Sequence, residues 1–511
     1  MKPRAVGIDL GTTYSSISIV NDHGEPEIIP NADGERLTPS AIFFDDDVMV
    51  VGQTAKDHLG SDPERVVMFV KRQMGNSHWF YEYKDRRLSP IDCSAIILKK
   101  LKDDAKTPLG WPVTQAVITV PAYFDDVRRR ATITAGEIAG LKVLDVLNEP
   151  TAAAIAFRTT QGGLDERILV YDLGGGTFDV TVLRVEGQKI HVLASGGDHL
   201  LGGKDFDDTL ISLAAGRFKE EHGFDPTDDQ VVTADIRAQA EKTKRELSKR
   251  TKAAMLVRAG GKHSRIDVSR EEFEYLIKPK LDTTLSLTRI VLAEEAKLKP
   301  QDIDQVLLVG GSTRIPAVRQ ALQGMFGREP DASVNPDEVV SLGAALVAAQ
   351  RTLQEDPEAI PAPVAEIVGP LGITDVTSHS FGLEAIVAGT NRKINSILIP
   401  RQSPLPAEVS REFVTTLPGQ TAIKVTIYQG EFEDSALCNP IGEFSLAGLP
   451  PGRPPGKKVR VTFNCVNGVV NVTAIDIETG KQTTTQVSYK IGVSTQQAQE
   501  TSTMLKLIPI E

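Results

Sequence analysis

The chain has 511 residues, 41% of them hydrophobic and 24% charged, with a formal net charge of −11. That length exceeds one hydrophobic core and implies about three or four packing units, while the acidic balance argues against non-specific nucleic-acid binding, which needs a basic face. Three scattered cysteines (Cys93, Cys438, Cys465), no signal-like core and no apolar run of about 18 residues point to a reducing, cytoplasmic setting without disulfides, zinc site or membrane span.

Taken in chain order, Arg4–Asp9 and Ser15–Val20 read as two strands around a Gly11-Thr12-Thr13 turn. Ala116–Val120 reads as a short apolar strand and Val127–Ala139 as a helix. Ile168–Asp172 and Phe178–Val185 repeat the strand–turn–strand plan around Gly174-Gly175-Gly176-Thr177. A polar helix is expected over Val232–Lys249, a buried strand over Val306–Val309 and an Ala-rich helix over Val339–Gln350. This alternation argues for an α/β class. Glu355–Pro370 carries Pro357, Pro361, Pro363 and Pro370, which excludes regular helix or central strand and predicts a linker. From Leu371 to about Lys490, Val, Ile and Thr dominate between turn signals such as Pro418-Gly419 and Pro451-Gly452, so an all-β module is expected. The remaining Gly492–Glu511 shows only a weak helical tendency, over Ser494–Lys506.

The chemistry begins with a duplication. Gly7-Ile8-Asp9-Leu10-Gly11-Thr12-Thr13 resembles Tyr171-Asp172-Leu173-Gly174-Gly175-Gly176-Thr177. Each copy puts an acid at a strand end and then a Gly/Thr turn. Glycines let backbone N–H groups approach a phosphate, and threonine hydroxyls add donors. An aspartate suits a hydrated Mg²⁺, which keeps most of its waters. One such hairpin is as readily an ordinary tight turn; two copies, each flanked by strands, suggest a polyphosphate clamped between related lobes. No P-loop lysine motif is present. A third glycine turn, Gly310-Gly311-Ser312-Thr313-Arg314, could bring backbone to a base or ribose, with Arg314 stacking on a flat ring. Glu241, Lys244 and Ser248 fall on one helical face that could hold a ribose and base edge, or could be a plain solvated surface.

These residues reach a recognisable family. The first 350 residues resemble the nucleotide-binding domain of the DnaK-type (70-kilodalton heat-shock) chaperones. The resemblance runs through Gly7–Thr13, Phe69–Arg72, Val117–Phe124, Asn148–Ala154, Asp172–Asp179, Gly202–Asp207, Val309–Pro316 and Asn335–Glu338, in the family's order. It implies a duplicated, actin-like (ribonuclease-H-like) ATPase domain of two lobes over residues 1–352. A Pro-rich linker over 353–370, a β-sandwich peptide-binding domain over 371–491 and a short tail over 492–511 without a helical lid would follow. By that resemblance Asp9 and Asp172 position Mg²⁺ through water, and Gly11, Thr12, Thr13, Tyr14, Gly174, Gly175, Gly176, Thr177, Gly202 and Gly203 surround the phosphates. Lys71 steadies the γ-phosphate and orients the attacking water, Glu149 is the second-lobe carboxylate near it, and Asp179 closes the second phosphate motif. Glu241, Lys244, Arg245, Ser248, Gly310, Gly311, Ser312, Arg314 and Asp337 match the adenosine site. Pro121, Arg129 and Asp375 match a relay between the domains.

In the β-module the resemblance is looser, carried by Asp375–Thr377, Phe381–Glu384, Ile399–Arg401, Phe413, Val425–Glu431 and Gly442–Phe444. It implies that Leu383, Ile386, Phe413, Ile423 and Val425 line a groove for an extended hydrophobic polypeptide; without it they would read as plain β-core. The implied function is slow ATP hydrolysis that controls polypeptide binding, with ATP/ADP and Mg²⁺ (and K⁺ as a further candidate) as cofactors. The implied partners are unfolded polypeptide, a J-domain co-chaperone and a nucleotide-exchange factor. Three departures stand out. The linker reads Gly369-Pro370-Leu371-Gly372-Ile373-Thr374-Asp375 instead of a leucine run, the lid is missing, and the Arg72–Pro121 segment is short. Weak or differently timed interdomain coupling, fast peptide release and a trimmed first-lobe surface for accessory factors would follow. They leave open a nucleotide-gated module for one dedicated partner; a small-molecule kinase gives the β-module no role.

Overall fold

The protein is described by a computed structural model covering residues 4–161, 165–387, 390, 392–466, 469–486 and 494–511. Two sheets repeat one plan. In the first, Val6–Asp9 pairs antiparallel with Tyr14–Val20 and parallel with Gln115–Val120. Lys142–Asn148 and Pro26–Ile29 form its flanks. In the second, Glu166–Leu173 pairs antiparallel with Phe178–Glu186 and parallel with Gln305–Val309. In both, the acid-bearing strand is interior, paired on both sides, and its acid lies near the carboxyl end, beside the turn. Val and Ile run through these strands, and most of their side chains are buried on both faces, as strands covered by helices require. The fold class is therefore α/β with a duplicated two-lobed unit.

Between the sheets run the helices Glu149–Gln161 and Val339–Glu355. They share one core with Ala152, Ala153, Ala344, Ala345 and Ala348. A Cβ on Gly343 would collide with the carbonyl of Ala152, so the helices touch backbone to backbone. Small side chains there bring the two lobes together at a narrow hinge. Each lobe also has its own core, one around Ile8, Ile17, Ile96 and Ile118, the other around Tyr171, Phe178, Phe206 and Phe218.

Residues 381–486 form a β-sandwich. One sheet orders Lys393–Ile399, Phe381–Ile386, Ala422–Gln429 and Asn439–Ala447; the other orders Ala407–Val414, Lys458–Val466, Val469–Asp476 and Gln482–Gln486. Phe381, Leu383, Ile427, Phe444, Val461, Phe463 and Val472 fill its interior. Inward and outward residues alternate along Lys458–Val466, the pattern of a sheet with one wet face.

Two expectations need correction. Glu355–Pro370 is not devoid of regular helix: Val339–Glu355 continues to Glu355, Pro357–Ala359 forms a 3₁₀ turn, and Ala362–Val368 is a helix. Pro361 caps that helix and Pro363 lies in its first turn, where the missing N–H has no intrahelical partner to lose. Val364 and Val368 are buried against the hinge core. Gly372–Thr374 then joins the second sheet as a parallel edge strand beside Lys189–His191, and the Gln350 side chain donates to the Leu371 carbonyl at 2.6 Å. The connector is thus bound along its length, and the apolar docking surface expected to be scarce is supplied by Ile367, Leu371 and Ile373.

The tail is more than a weak tendency. Thr495–Leu507 is a helix with a reciprocal Ser494/Gln497 cap, and Met504 and Leu505 are buried in the first lobe's core. Ile510 bridges Met49 in parallel; Met49 N–H donates to Pro509 O at 3.1 Å and Val51 N–H to Glu511 O at 2.7 Å. Among the described residues no helix is long and apolar enough to cross a membrane.

Candidate functional site

The two Gly/Thr turns face one another. A Cβ on Gly176 would collide with the Thr12 side chain, and one on Gly175 with Thr13. Only glycine lets these turns approach so closely. The turns border a cleft of about 1130 Å³ between the lobes. Asp9, Gly11, Thr12, Thr13, Tyr14, Lys71, Glu149, Asp172, Gly174, Gly175 and Thr177 line it, as do Glu241, Lys244, Arg245, Ser248, Gly310, Gly311, Ser312, Arg314 and Asp337. Gly202 and Gly203 stand behind the second turn: Gly203 N–H donates to Gly174 O at 2.9 Å, and a Cβ on Gly202 would strike Gly176. They pack against the turn and support it, and are not themselves among the residues that line the cleft.

At the floor of the cleft Lys71, 5% exposed, sits 2.5 Å from the Glu149 carboxylate, which directly follows the first sheet's Lys142–Asn148 strand and so comes from the first lobe, not from the second as expected. Burial alone would lower its pKa, but Glu149 and Asp9 raise it, so the lysine stays charged. Asp9 accepts from Thr119 Oγ1 at 3.0 Å. Burial, then Glu149, pushes Asp9 up to about 7. Asp179 is pushed to about 8, again by burial and then Glu149, against the Tyr123 N–H that donates to it at 3.0 Å. Asp172 is raised by burial, Glu149, Asp179 and Asp9. Three buried acids (Glu149, Asp172 and Asp179) and the half-buried Asp9 therefore face one buried lysine, and the site is short of positive charge. Among the described residues no three His, Cys, Asp or Glu side chains could hold an ion directly. That donor set suits a cation that keeps its own waters between itself and the carboxylates.

The far end of the cleft suits an adenosine-sized group. Arg314 donates to Asp337 at 2.7 Å and to Asn335 at 2.9 Å, which fixes its guanidinium as a flat surface. Ser312 Oγ donates to Gly174 O at 3.0 Å and so ties the third glycine turn to the second. Lys244 is held by Asp207 at 2.8 Å and Gly203 O at 2.9 Å, and Ser248 donates to Lys244 O at 3.2 Å. Arg245 is largely exposed and lies over the Tyr14 ring, 5.7 Å from its centroid.

Sequence reasoning missed two groups here. Lys56, from a short helix of the first lobe, pairs with Glu241 of the second at 2.7 Å and donates to Tyr14 Oη at 3.2 Å, closing the cleft like a clasp. Arg72 donates to Gly176 O at 2.7 Å and pairs with Asp205, so the segment carrying Lys71 is bound to the second phosphate turn. The Lys71-Arg72 dipeptide was a visible signal for the second; nothing local marked Lys56.

The three expected relay residues do not form one contact. Arg129 donates to Asn148 Oδ1, whose Nδ2 donates to Asp375 at 2.6 Å, so those two meet through Asn148. Pro121 stands apart, opening the turn that ends at Phe124 and presents the Tyr123 N–H to Asp179. Other contacts join the β-module to the lobes. Gln402 donates to Ser195 O at 2.6 Å and accepts from Ser195 N–H at 3.1 Å, as a strand neighbour would. Arg401 pairs with Glu295 at 3.1 Å, Gln429 donates to Asp126 at 3.2 Å, and Ser378 donates to Phe124 O at 3.2 Å. Of the five groove residues, Leu383, Phe413, Ile423 and Val425 join the sandwich core, Leu383 fully buried within it. Ile386 is 45% exposed at its strand end and stays apart from that cluster.

A family model described as "Hsp70 protein" matches residues 5–506. Among curated relatives, "Chaperone protein DnaK" of Thermotoga petrophila is 41% identical over 490 residues, covering 94% of this chain and 80% of the relative. The protein of that name from Thermotoga maritima gives the same figures. The one from Thermosipho africanus is 41% identical over 497 residues, covering 95% and 80%.

Proposed function

The chain belongs to the Hsp70 family of ATP-hydrolysing chaperones, and from that premise we propose how its residues divide the work. The protein is an ATP-dependent chaperone and an ATPase that acts on unfolded polypeptide. Residues 1–352 form the ATPase unit and 353–374 the connector, which runs past the expected end at 370 because Gly372–Thr374 pairs with the second sheet; 375–491 form the peptide-binding unit and 492–511 the tail. Cytoplasmic placement, a J-domain co-chaperone and a nucleotide-exchange factor complete the reading.

The observation that carries the assignment is the pair of facing Gly/Thr turns above four acids and one buried lysine. Backbone N–H groups and the Thr12, Thr13 and Thr177 hydroxyls bind the phosphates. Asp9 and Asp172 would hold Mg²⁺ through its waters, and K⁺ fits the same acidic floor. The metal would supply the positive charge that the acids and a polyphosphate together demand. Lys71 stabilises charge at the γ-phosphate and orients the attacking water, and Glu149 fixes Lys71 and accepts from that water. Asp179 supports the second turn from behind. Glu241, Lys244, Arg245, Ser248 and Arg314 hold the nucleoside. In the β-module an extended peptide would lie over Phe413, Ile423 and Val425, with Ile386 at the rim and Leu383 beneath. The dedicated-partner alternative loses one of its two motives, because the unusual connector is bound to the second sheet; the missing lid still speaks for it, and a narrow pull-down profile without binding to generic hydrophobic peptides would favour it.

The test is Lys71→Ala. Single-turnover hydrolysis should fall by about 10³-fold or more, the scale of losing a charge stabiliser at the transferred phosphoryl group, while ATP still binds. Equal turnover in wild type and variant would refute the assignment. A labelled hydrophobic peptide followed by fluorescence anisotropy should bind more tightly with ADP and leave faster with ATP.

A further inference from the structure

His379 occupies the seam between the β-module and the first lobe. Its ring lies against Tyr123, centroid to centroid 4.9 Å. Its Nδ1 is 3.1 Å from Ser378 Oγ. Ser378 already donates its one proton to Phe124 O, so its oxygen accepts, and Nδ1 carries the imidazole's proton. The docked ring is thereby satisfied as the neutral tautomer.

A second proton would find poor company. Asp125 and Arg128 face the ring from the start of the Asp126–Ile138 helix, but Asp125 is engaged by Arg128 through both its side chain and its N–H. Glu431 faces it from the turn after Ala422–Gln429 and accepts from Ser380 N–H at 2.8 Å and Ser380 Oγ at 2.6 Å. Arg401, from the turn after Lys393–Ile399, is paired with Glu295. His199 meets Arg128 at 3.3 Å. Arg128 is paired with Asp125 and Arg401 with Glu295, so the charges around the ring largely offset one another, and it is burial in the seam that disfavours an imidazolium.

We propose that His379 is a proton-operated release for the docked β-module: neutral while the module rests on the first lobe, and able to take a proton in mildly acidic solution once the two part. This rests on the reading above, in which nucleotide controls the β-module's hold on peptide, and extends that control to the module's docking on the lobes. Burial, joined by Arg401 and Arg128, outweighs Asp125 and Glu431 and lowers the docked imidazole below its usual 6.5. The sign follows from linkage. The docked state binds fewer protons, so docking is fully favoured above about pH 6.5 and weakens as pH falls toward the docked value, by at most about tenfold per pH unit. Asp375 works the other way, since burial raises its pKa and the docked state holds its proton more tightly. The release is therefore strongest in the histidine range and blunted at lower pH.

The experiment uses the full chain carrying donor and acceptor dyes at the exposed positions Lys278 and Lys424, with ATP or ADP and no peptide, from pH 5.5 to 8.0. The docking constant read by energy transfer should fall several-fold between pH 7.5 and 6 in wild type. It should stay flat in His379→Gln and in His379→Phe, which keeps the ring contact without a titratable nitrogen. Profiles that superimpose across the three proteins would overturn the proposal. A pH response that vanishes in both variants but is the same with ATP and ADP would support the histidine and count against nucleotide-linked docking.

Discussion

The carboxyl group of Asp179 shows what the site asks of single residues. Burial and Glu149 push it to about 8, so at neutral pH much of it is protonated before any cation arrives. An acid raised in the folded state binds more protons than in the unfolded chain. Its contribution to folding therefore declines as pH rises from the ordinary carboxylate range through about 8, and Asp9 behaves likewise through about 7. Asp179→Asn removes that liability and can keep accepting the Tyr123 N–H. The nucleotide-free variant should melt higher than wild type at pH 8, with a smaller difference at pH 5, while turnover falls; scanning calorimetry at both pH values checks this. Ion binding at these acids displaces their protons. Nucleotide titrations in buffers of different ionisation enthalpy should therefore reveal proton release near pH 7. Most of these residues were legible because each phosphate motif is local: an acid at a strand end, then glycines and threonine within five positions. Lys56 was not legible, because its meaning comes from Glu241, which the chain places across the cleft.

Elements explain the remaining differences between expectation and structure. The duplicated hairpins were readable since strand, turn and strand follow one another, and their pairing is antiparallel and short in range. The Ala362–Val368 helix was hidden by its prolines, which break a helix in its interior and fit one at its start. The docking contacts of Gln402, Gln429 and Ser378 had no periodic signature, because each is one side chain meeting a distant backbone or carboxylate. The Lys56–Glu241 clasp joins the Gln53–Asp57 helix to the Gln230–Lys249 helix, and both side chains are mostly covered. A pair worth about 1 kcal/mol corresponds to about fivefold in an equilibrium. Lys56→Ala should therefore speed ADP release by about that factor, as stopped-flow release of a fluorescent ADP analogue would measure, with single-turnover hydrolysis little changed. No change in release would mean that the clasp does not hold the lobes.

Across the whole molecule, the β-module is attached twice. It leaves the lobes through Gly372–Thr374, an edge strand on the second sheet, and the chain beyond it returns to the first lobe through Thr495–Leu507 and the Met49–Ile510 bridge. Leu505→Asp puts a carboxylate into the first lobe's core, a change that costs about 2–4 kcal/mol if the helix stays and is avoided if it leaves. The Met49 and Val51 amides should then exchange with solvent far faster, as hydrogen exchange would show; unchanged protection would mean that the tail strand holds without its helix. Double attachment also decides how the molecule carries load. A polypeptide held in the β-module and tugged from its far end would strain both tethers together, one on each lobe. The pull would then be divided across the hinge instead of falling on the connector alone, and with either tether broken the other would keep the module within reach for rapid recapture.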